Sequence, residues 1–178
     1  MHPVACEIDD PNCNVTKWEH DKNGNVTKEF DPTDTNGTHP RIYNFDNANR
    51  LTSLTDRNGR QKTFTYLDNN LVSTEVWKDA SNTTVNTITY AYNQNDALTS
   101  IGDNNGTITY TYDALDRVST MQDVWSITQT YGYDAADNPT QVADTKGGTK
   151  NYYYDNAERL TKVTYSDTSS QQIGRAHV

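Results

Sequence analysis

The feature that most constrains the fold of this chain is a pair of aromatic rings that recurs at nearly constant spacing. The two rings of each pair are separated by one residue, and we call the second ring the anchor. Successive anchors lie 25, 21, 26, 20, 21 and 21 residues apart, which is typical of a repeat architecture. Thirteen of the eighteen Phe, Trp and Tyr residues lie in these pairs, so we expect the pairs to form the framework of the fold. The seven pairs are Trp18/His20, Tyr43/Phe45, Phe64/Tyr66, Tyr90/Tyr92, Tyr110/Tyr112, Tyr131/Tyr133 and Tyr152/Tyr154.

Each copy of the repeat has the pattern of two antiparallel strands. In the fifth copy Ile108, Tyr110 and Tyr112 alternate with threonines, which is typical of a strand with one buried side. A short acidic turn, residues 113–116, can then reverse the chain. Apolar residues follow the anchor after six and nine positions, and this spacing of three predicts a β-bulge or a local twist in the second strand. The sequence therefore predicts an all-β fold, a repetitive antiparallel β-hairpin array.

Some copies depart from the common pattern. The third copy has Leu67 in place of the aspartate after the anchor, and we interpret its turn as one residue short. The sixth copy has Pro139 at the first aliphatic position. The two longest spacings contain the segments 34–37 (DTNG) and 79–82 (DASN), which we interpret as turn insertions.

The repeats divide the chain into three parts. Residues 1–16 match no repeat and are predicted to be irregular, residues 17–167 hold the seven copies, and residues 168–178 are predicted to be a disordered tail. The last six residues, 173–178 (IGRAHV), look like the translation of a sequencing adaptor, so we expect the native chain to continue beyond about residue 167. Cys6 and Cys13 are the only cysteines, and both a disulfide and two free thiols remain open for them.

Composition limits both the kind of core and the kind of partner. With 33% hydrophobic residues and a mean hydropathy of −0.95, an ordinary core would be thin, whereas a solenoid or shell buries one face of each unit against its neighbours. The net charge of −9 disfavours nucleic acid and anionic membranes as partners. The sequence has no apolar run long enough for a transmembrane helix, and the first ten residues show no signal-peptide pattern.

The polar residues suggest turns and not a reactive site. No histidine stands at an interpretable distance from a serine or cysteine nucleophile, so we predict no catalysis, no metal and no cofactor. The Asp- and Asn-rich segments lack a complete calcium-binding pattern and are interpreted as turns. An acid is followed by an arginine four residues later in three copies, and we expect these pairs to meet across their turns. They are Asp46/Arg50, Asp113/Arg117 and Asp155/Arg159.

The segments 110–118 (YTYDALDRV) and 152–160 (YYYDNAERL) resemble the YD repeat of the Rhs (rearrangement hot spot) family. The resemblance covers about residues 17–167 and implies a large shell of spiralling β-hairpins, of which this chain would form a part. Bacterial members of that family include polymorphic toxins, toxin-complex components and wall-associated proteins, and teneurins are animal relatives. In the toxins the shell encloses a C-terminal effector.

Two functions follow as hypotheses. The first is a non-catalytic structural region of a large secreted or cell-surface bacterial protein, whose shell encapsulates a C-terminal toxin. Its partners would be the rest of the same polypeptide, namely further repeats and the enclosed effector. The alternative is an extracellular repeat module of a wall-associated protein that binds carbohydrate or a surface protein. The tyrosine ladder suits sugar stacking, but the scarcity of other apolar residues favours a framework role. Neither hypothesis includes nucleic acid or membrane insertion.

Overall fold

The computed structural model describes residues 16–32 and 37–166 of the chain. Cys6, Cys13, nearly all of the predicted irregular segment, the predicted tail 168–178 and most of the insertion at 34–37 lie outside these residues. The described part contains fourteen β-strands and no helix, and therefore none long and apolar enough to cross a membrane. The strands are β1 (Lys17–His20), β2 (Val26–Phe30), β3 (Arg41–Phe45), β4 (Leu51–Thr55), β5 (Gln61–Tyr66), β6 (Val72–Lys78), β7 (Thr84–Tyr92), β8 (Leu98–Asp103), β9 (Gly106–Tyr112), β10 (Val118–Gln122), β11 (Thr128–Tyr133), β12 (Pro139–Asp144), β13 (Thr149–Tyr154) and β14 (Leu160–Ser166).

The chain divides into two compact units between Tyr90 and Ala91, inside β7. In the first unit β1 to β7 lie side by side in chain order, and each strand pairs antiparallel with the next. In the second unit β8 to β14 follow the same rule. The predicted all-β antiparallel hairpin array is confirmed. Each repeat contributes two neighbouring strands.

A β-bulge follows the anchor in the second strand of most copies. In the second copy Phe45 pairs with Leu51, but Asn44 pairs with Ser53, so Thr52 is one extra residue. The same register shift occurs beside Tyr66, Tyr133 and Tyr154. Because the extra residue changes the alternation of side chains, residues six and nine positions after the anchor share one face. The predicted bulge is confirmed, and it explains the apolar spacing of three.

One recurring turn connects most of the strands at both ends of the sheet. In the turn 113–117 the Asp113 N–H donates to the carbonyl of Arg117 (2.9 Å), and the Asp116 N–H donates to the carbonyl of Asp113 (3.1 Å). One carboxylate oxygen of Asp113 accepts the N–H groups of Leu115 (2.9 Å) and Arg117 (3.0 Å). The fourth residue, Asp116, has φ of 60°. Aspartate and asparagine suit this turn because their short side chains bond the nearby backbone.

This shared turn corrects two sequence-based interpretations. The turn 79–83 is not an insertion, because Asp79 N–H donates to the carbonyl of Thr83 (2.9 Å) as in the ordinary turns. The extra residues lengthen the strands instead, so that β6 has seven residues and β7 has nine. The third copy is not one residue short either. Its Leu67 N–H donates to the carbonyl of Leu71 (2.8 Å), and Tyr66 pairs with Val72 as other anchors pair with the residue six positions later.

The sheet has one apolar face but no closed interior within the described residues. Along β9 half-buried residues alternate with exposed ones, and the half-buried set contains Ile108, Tyr110 and Tyr112. Pairing places Ile101 opposite Ile108 and Met121 opposite Tyr110, so this face continues onto both neighbouring strands. No apolar side chain of the described residues is fully buried. The half-buried rings and the contacts between copies must therefore supply much of the stability.

Candidate functional site

The candidate site is the apolar face, on which the aromatic pairs lie in rows. Within each unit, alternation and pairing register place the pairs on a single face, and every predicted framework ring is half-buried. The first unit holds Tyr43, Phe45, Phe64, Tyr66 and Tyr90. The second unit holds Tyr92, Tyr110, Tyr112, Tyr131, Tyr133, Tyr152 and Tyr154.

The first rings of neighbouring copies lie close to one another in the second unit. Burial raises the pKa of Tyr131, and the phenols of Tyr133, Tyr110 and Tyr152 raise it further. Tyr110 and Tyr152 lie one copy before and one copy after Tyr131. These three rings therefore lie near enough to one another for each outer phenol to act on the pKa of the middle one.

Four anchor tyrosines each tie their copy to the copy before it. The hydroxyl of Tyr133 donates to the carbonyl of Val118 (3.0 Å), and the hydroxyl of Tyr154 donates to that of Pro139 (2.9 Å). The accepting residue is in every case the first residue of the preceding copy's second strand. Pro139 fits this position because the contact uses its carbonyl and not the N–H group that proline lacks. The same bond joins Tyr66 to Leu51 (2.7 Å) and Tyr112 to Leu98 (2.6 Å).

An arginine provides a second contact between neighbouring copies. Arg117 Nε donates to Asp113 of its own turn (2.8 Å), while Arg117 Nη1 donates to Asp137 in the next copy's turn (2.7 Å). The guanidinium also lies 4.6 Å from the ring centroid of Tyr133, a cation–π contact. Arg117 thus bonds two turns and covers the anchor between them.

Arg50 repeats this arrangement in the first unit. It bonds Asp46 in its own turn (2.7 Å) and Asn70 in the next turn (2.9 Å), and its guanidinium lies 4.7 Å from the Tyr66 ring. The predicted meetings of Asp46/Arg50, Asp113/Arg117 and Asp155/Arg159 across their turns are confirmed, each at 2.7 Å. Sequence reasoning missed the contacts to the next copy. Their signal was an arginine sixteen residues before an anchor tyrosine.

Two glutamates interrupt the apolar face of the first unit. Glu29 accepts a hydrogen bond from the Tyr43 hydroxyl (3.0 Å), and Glu75 accepts one from Tyr90 (3.4 Å). Both glutamates stand nine residues after an anchor, where other copies have an aliphatic residue. Sequence reasoning missed this substitution, although the nine-residue spacing marks both positions.

Around Glu75 the polar contacts form a cluster with an exposed ring. Lys62 Nζ lies 3.0 Å from the carboxylate and 4.2 Å from the centroid of the Trp77 ring. Trp77 Nε1 donates to Glu75 (2.6 Å), and 37% of the tryptophan is exposed. This set offers an aromatic surface beside one acceptor and one cation. Elsewhere, the described residues contain no group of three His, Cys, Asp or Glu side chains placed to hold a metal ion.

Comparison of the sequence with known families decides the classification. The RHS Repeat family model matches residues 20–61, 92–124 and 133–170, which together make up more than half of the chain. The chain belongs to the RHS repeat family. The resemblance drawn from the YD motif is confirmed. No curated protein matches the chain.

Solved structures share the fold of this chain at low sequence identity. The Photorhabdus luminescens Tc holotoxin pore matches with 16% identity and a TM-score of 0.54, over 91% of this chain and 8% of that chain. TcdB2-TccC3-TEV matches with 17% identity and a TM-score of 0.55, over 90% and 8% respectively. TcdB2-TccC3-Cdc42 matches with 16% identity and a TM-score of 0.52, over 89% and 12%. The chain thus spans only about a tenth of the length of the chains it matches.

Proposed function

We propose that residues 17–167 form a section of the wall of a large β-shell, and that their role is structural and not catalytic. The shell would belong to a secreted or cell-surface bacterial protein and would enclose a C-terminal toxin. The remaining repeats and the enclosed effector of the same polypeptide would be its partners. The observation that carries this proposal is the repeated contact between neighbouring copies on a sheet with no closed core among the described residues.

The side-chain chemistry supports a structural role. The anchor hydroxyls and the guanidinium groups of Arg50 and Arg117 bond the next or the preceding copy. Aspartates bond the backbone of their own turns, as Asp113 does. Groups held in this way stabilise a repeat array, whose stability is a sum of units and of the interfaces between them.

The comparisons support the larger setting. The matched chains come from structures of a Tc holotoxin pore and of TcdB2-TccC3 assemblies, one of them described as lacking a hypervariable C-terminal region. These chains are many times longer than the part that matches. A short stretch of RHS repeats with their fold fits one section of such a long polypeptide.

Limited proteolysis of the complete protein tests the proposal. The full open reading frame would be recovered and expressed. The purified protein would then be treated with a nonspecific protease, with and without a denaturant that opens the array. We expect the segment after the last repeat to resist cleavage in the native protein and to be cut once the array unfolds. A C-terminal segment that is cleaved equally fast in both conditions would overturn the encapsulation proposal.

A second candidate function is glycan binding, and the cluster of Lys62, Glu75 and Trp77 favours it. Ligand sites of this kind combine an aromatic surface with a few placed polar groups. The test is titration of the chain with soluble cell-wall glycan fragments by isothermal titration calorimetry, which does not depend on tryptophan as a reporter. Saturable binding that Trp77→Ala abolishes and Trp125→Ala leaves intact would support this function, and equal titrations of both variants would exclude this cluster.

A further inference from the structure

The Asn-Gly pairs in the turns are positions where the chain can modify itself chemically. The backbone nitrogen of the glycine attacks the side-chain Cγ of the asparagine, and the absence of a glycine Cβ leaves room for this approach. The new N–Cγ bond closes a succinimide ring, and the side-chain amide nitrogen leaves as ammonia. Water then opens the ring to aspartate or isoaspartate. The described residues contain three complete pairs, Asn23-Gly24, Asn58-Gly59 and Asn105-Gly106.

The three asparagine side chains differ in what holds them. Asn23 Nδ2 donates to Oδ1 of Asn49 in the next copy's turn (2.9 Å). Asn105 Nδ2 donates to a carboxylate oxygen of Asp103 (3.2 Å). Asn58 is exposed, and its side-chain amide makes no hydrogen bond to another residue of the part that the structure describes. Asn58 can therefore rotate toward the attacking nitrogen without breaking a bond.

The glycine nitrogens separate the third pair from the other two. Gly106 is half-buried, pairs with Asp103 in the sheet and lies against Val124. Gly24 and Gly59 are both exposed, and their N–H groups donate to the first carbonyl of their turns at 3.2 Å and 3.0 Å. The backbone thus disfavours attack by Gly106 and treats the other two glycines alike. The side-chain bond to Asn49 then decides between them.

We propose that Asn58 is a site of spontaneous deamidation and that its isoaspartate product loosens the junction between the second and third copies. Isoaspartate continues the chain through the former side-chain carboxyl, which adds one carbon to the backbone of the turn 56–60 between β4 and β5. Two bonds span this position, from Asp56 N–H to the carbonyl of Arg60 (2.9 Å) and from Gly59 N–H to the carbonyl of Asp56 (3.0 Å). A longer backbone disturbs both bonds.

The test follows the full chain during incubation at mildly alkaline pH. Peptide mapping by mass spectrometry detects the exchange of NH₂ for OH at each asparagine, and an isoaspartate-specific methyltransferase reports the rearranged product. We expect Asn58 to react fastest and Asn23 and Asn105 to react roughly fivefold more slowly, the rate equivalent of one net hydrogen bond. In urea the turns and side-chain bonds are lost, so the three rates should become similar.

Two variants separate the effect of the structure from that of the Asn-Gly sequence. Gly59→Asn should slow the reaction of Asn58 alone. Asn49→Gly removes the acceptor of the Asn23 amide and suits the φ of 60° at position 49, so it should speed Asn23 roughly fivefold and leave Asn58 unchanged. Circular dichroism shows whether each variant keeps its strands.

Equal rates at the three asparagines of the native chain, or a faster reaction at Asn23 or Asn105, would overturn the assignment of the site. An Asn49→Gly chain in which Asn23 reacts no faster would overturn its cause. The chain with isoaspartate at position 58, separated from the unmodified chain, should unfold at a lower urea concentration, and an equal midpoint would overturn the structural consequence. The inference does not depend on the proposed shell function, and no result here changes the protease protection of a C-terminal segment.

Discussion

At the scale of single residues, the anchor hydroxyl is the smallest group that joins one copy to another. Tyr133→Phe removes only this hydroxyl, which lies 3.0 Å from the carbonyl of Val118. We expect the free energy of unfolding to fall by about 1 kcal/mol, the usual net contribution of one hydrogen bond. Urea unfolding measures the change. The control is Tyr153→Phe, since Tyr153 is 46% exposed on the opposite face, and a loss as large there would contradict the assigned role.

The turn aspartates make the free energy of unfolding depend on pH. Hydrogen bonds from the Arg117 side chain and backbone hold the pKa of Asp113 below its usual range, against a smaller opposing effect of burial. Because the folded pKa is depressed, the stabilisation is complete above the unfolded pKa of about 3.9 and is lost as the pH falls through the folded value. We expect Asp113→Asn to be less stable than the wild type at neutral pH and to approach it below about pH 4.

Asparagine is the informative replacement because Asn93 occupies the same turn position and bonds the N–H groups of Asn95 (2.9 Å) and Ala97 (3.0 Å). Urea unfolding across a pH series measures the effect. Asp123→Asn is the control, since its turn has the same two backbone bonds but ends in Ile127. A difference between Asp113→Asn and the wild type that stays constant with pH would show that the charge has no role.

Residue pairs inside one turn can be predicted from the sequence, whereas pairs between copies cannot. Asp113 and Arg117 are four positions apart, and any tight turn brings them together. Arg117 and Asp137 are twenty positions apart and meet only because two hairpins pair in one register. Local spacing carries no information about that register. The sequence therefore predicted the bonds of Arg50 and Arg117 within their own turns and missed their bonds to the next copy.

At the scale of the strand and the turn, the start of β9 requires a backbone conformation that favours glycine. Gly106 begins β9 with φ of 140°, and a Cβ there would lie 2.9 Å from the Val124 Cβ. We expect Gly106→Ala to lower the free energy of unfolding by roughly 1–3 kcal/mol, because the backbone region favours glycine and the space is occupied. Chemical denaturation of the purified variant measures this loss.

Gly59→Asn is the matched control for this substitution. Gly59 has φ of 78° in a turn position that Asn49 occupies elsewhere with φ of 60°. Asparagine tolerates this backbone region, so we expect a change within about 0.5 kcal/mol. Similar losses at Gly59 and Gly106 would show that the two sites are equivalent, and would contradict a special requirement for glycine at position 106.

The lengths of strands were harder to predict than their existence. Alternating aromatic and threonine residues located the strands, and the apolar spacing of three located the bulge. The added residues around Asp79 were assigned to the turn because Asp, Ser and Asn are turn formers. In the structure the turn 79–83 keeps its ordinary length, and the addition lengthens β6 and β7. Composition alone does not show where a hairpin ends when both strands can be extended in register.

At the scale of the whole molecule, repetition made the fold class predictable without an ordinary core. No apolar side chain in the described residues is fully buried, yet each strand pairs with its neighbours within its unit. In such an array the stability is distributed over the boundaries between copies.

The measurement that tests the modularity of the array most directly is deletion of one full copy, the 21 residues from Asp134 to Tyr154. The deletion joins Tyr133 to Asp155, so that β11 can pair with β14 as β13 does, with the anchor opposite Leu160. We expect the shortened chain to keep its strands by circular dichroism and to unfold in urea at somewhat lower stability, because one boundary between copies is lost.

The matched control is a smaller deletion that ignores the repeat, residues 134–149, which fuses β11 to β13 without a turn. We expect this shorter deletion to be the more damaging of the two, although it removes less of the chain. Loss of the strands in the 21-residue deletion, or equal damage from both deletions, would contradict a modular array of interchangeable hairpins.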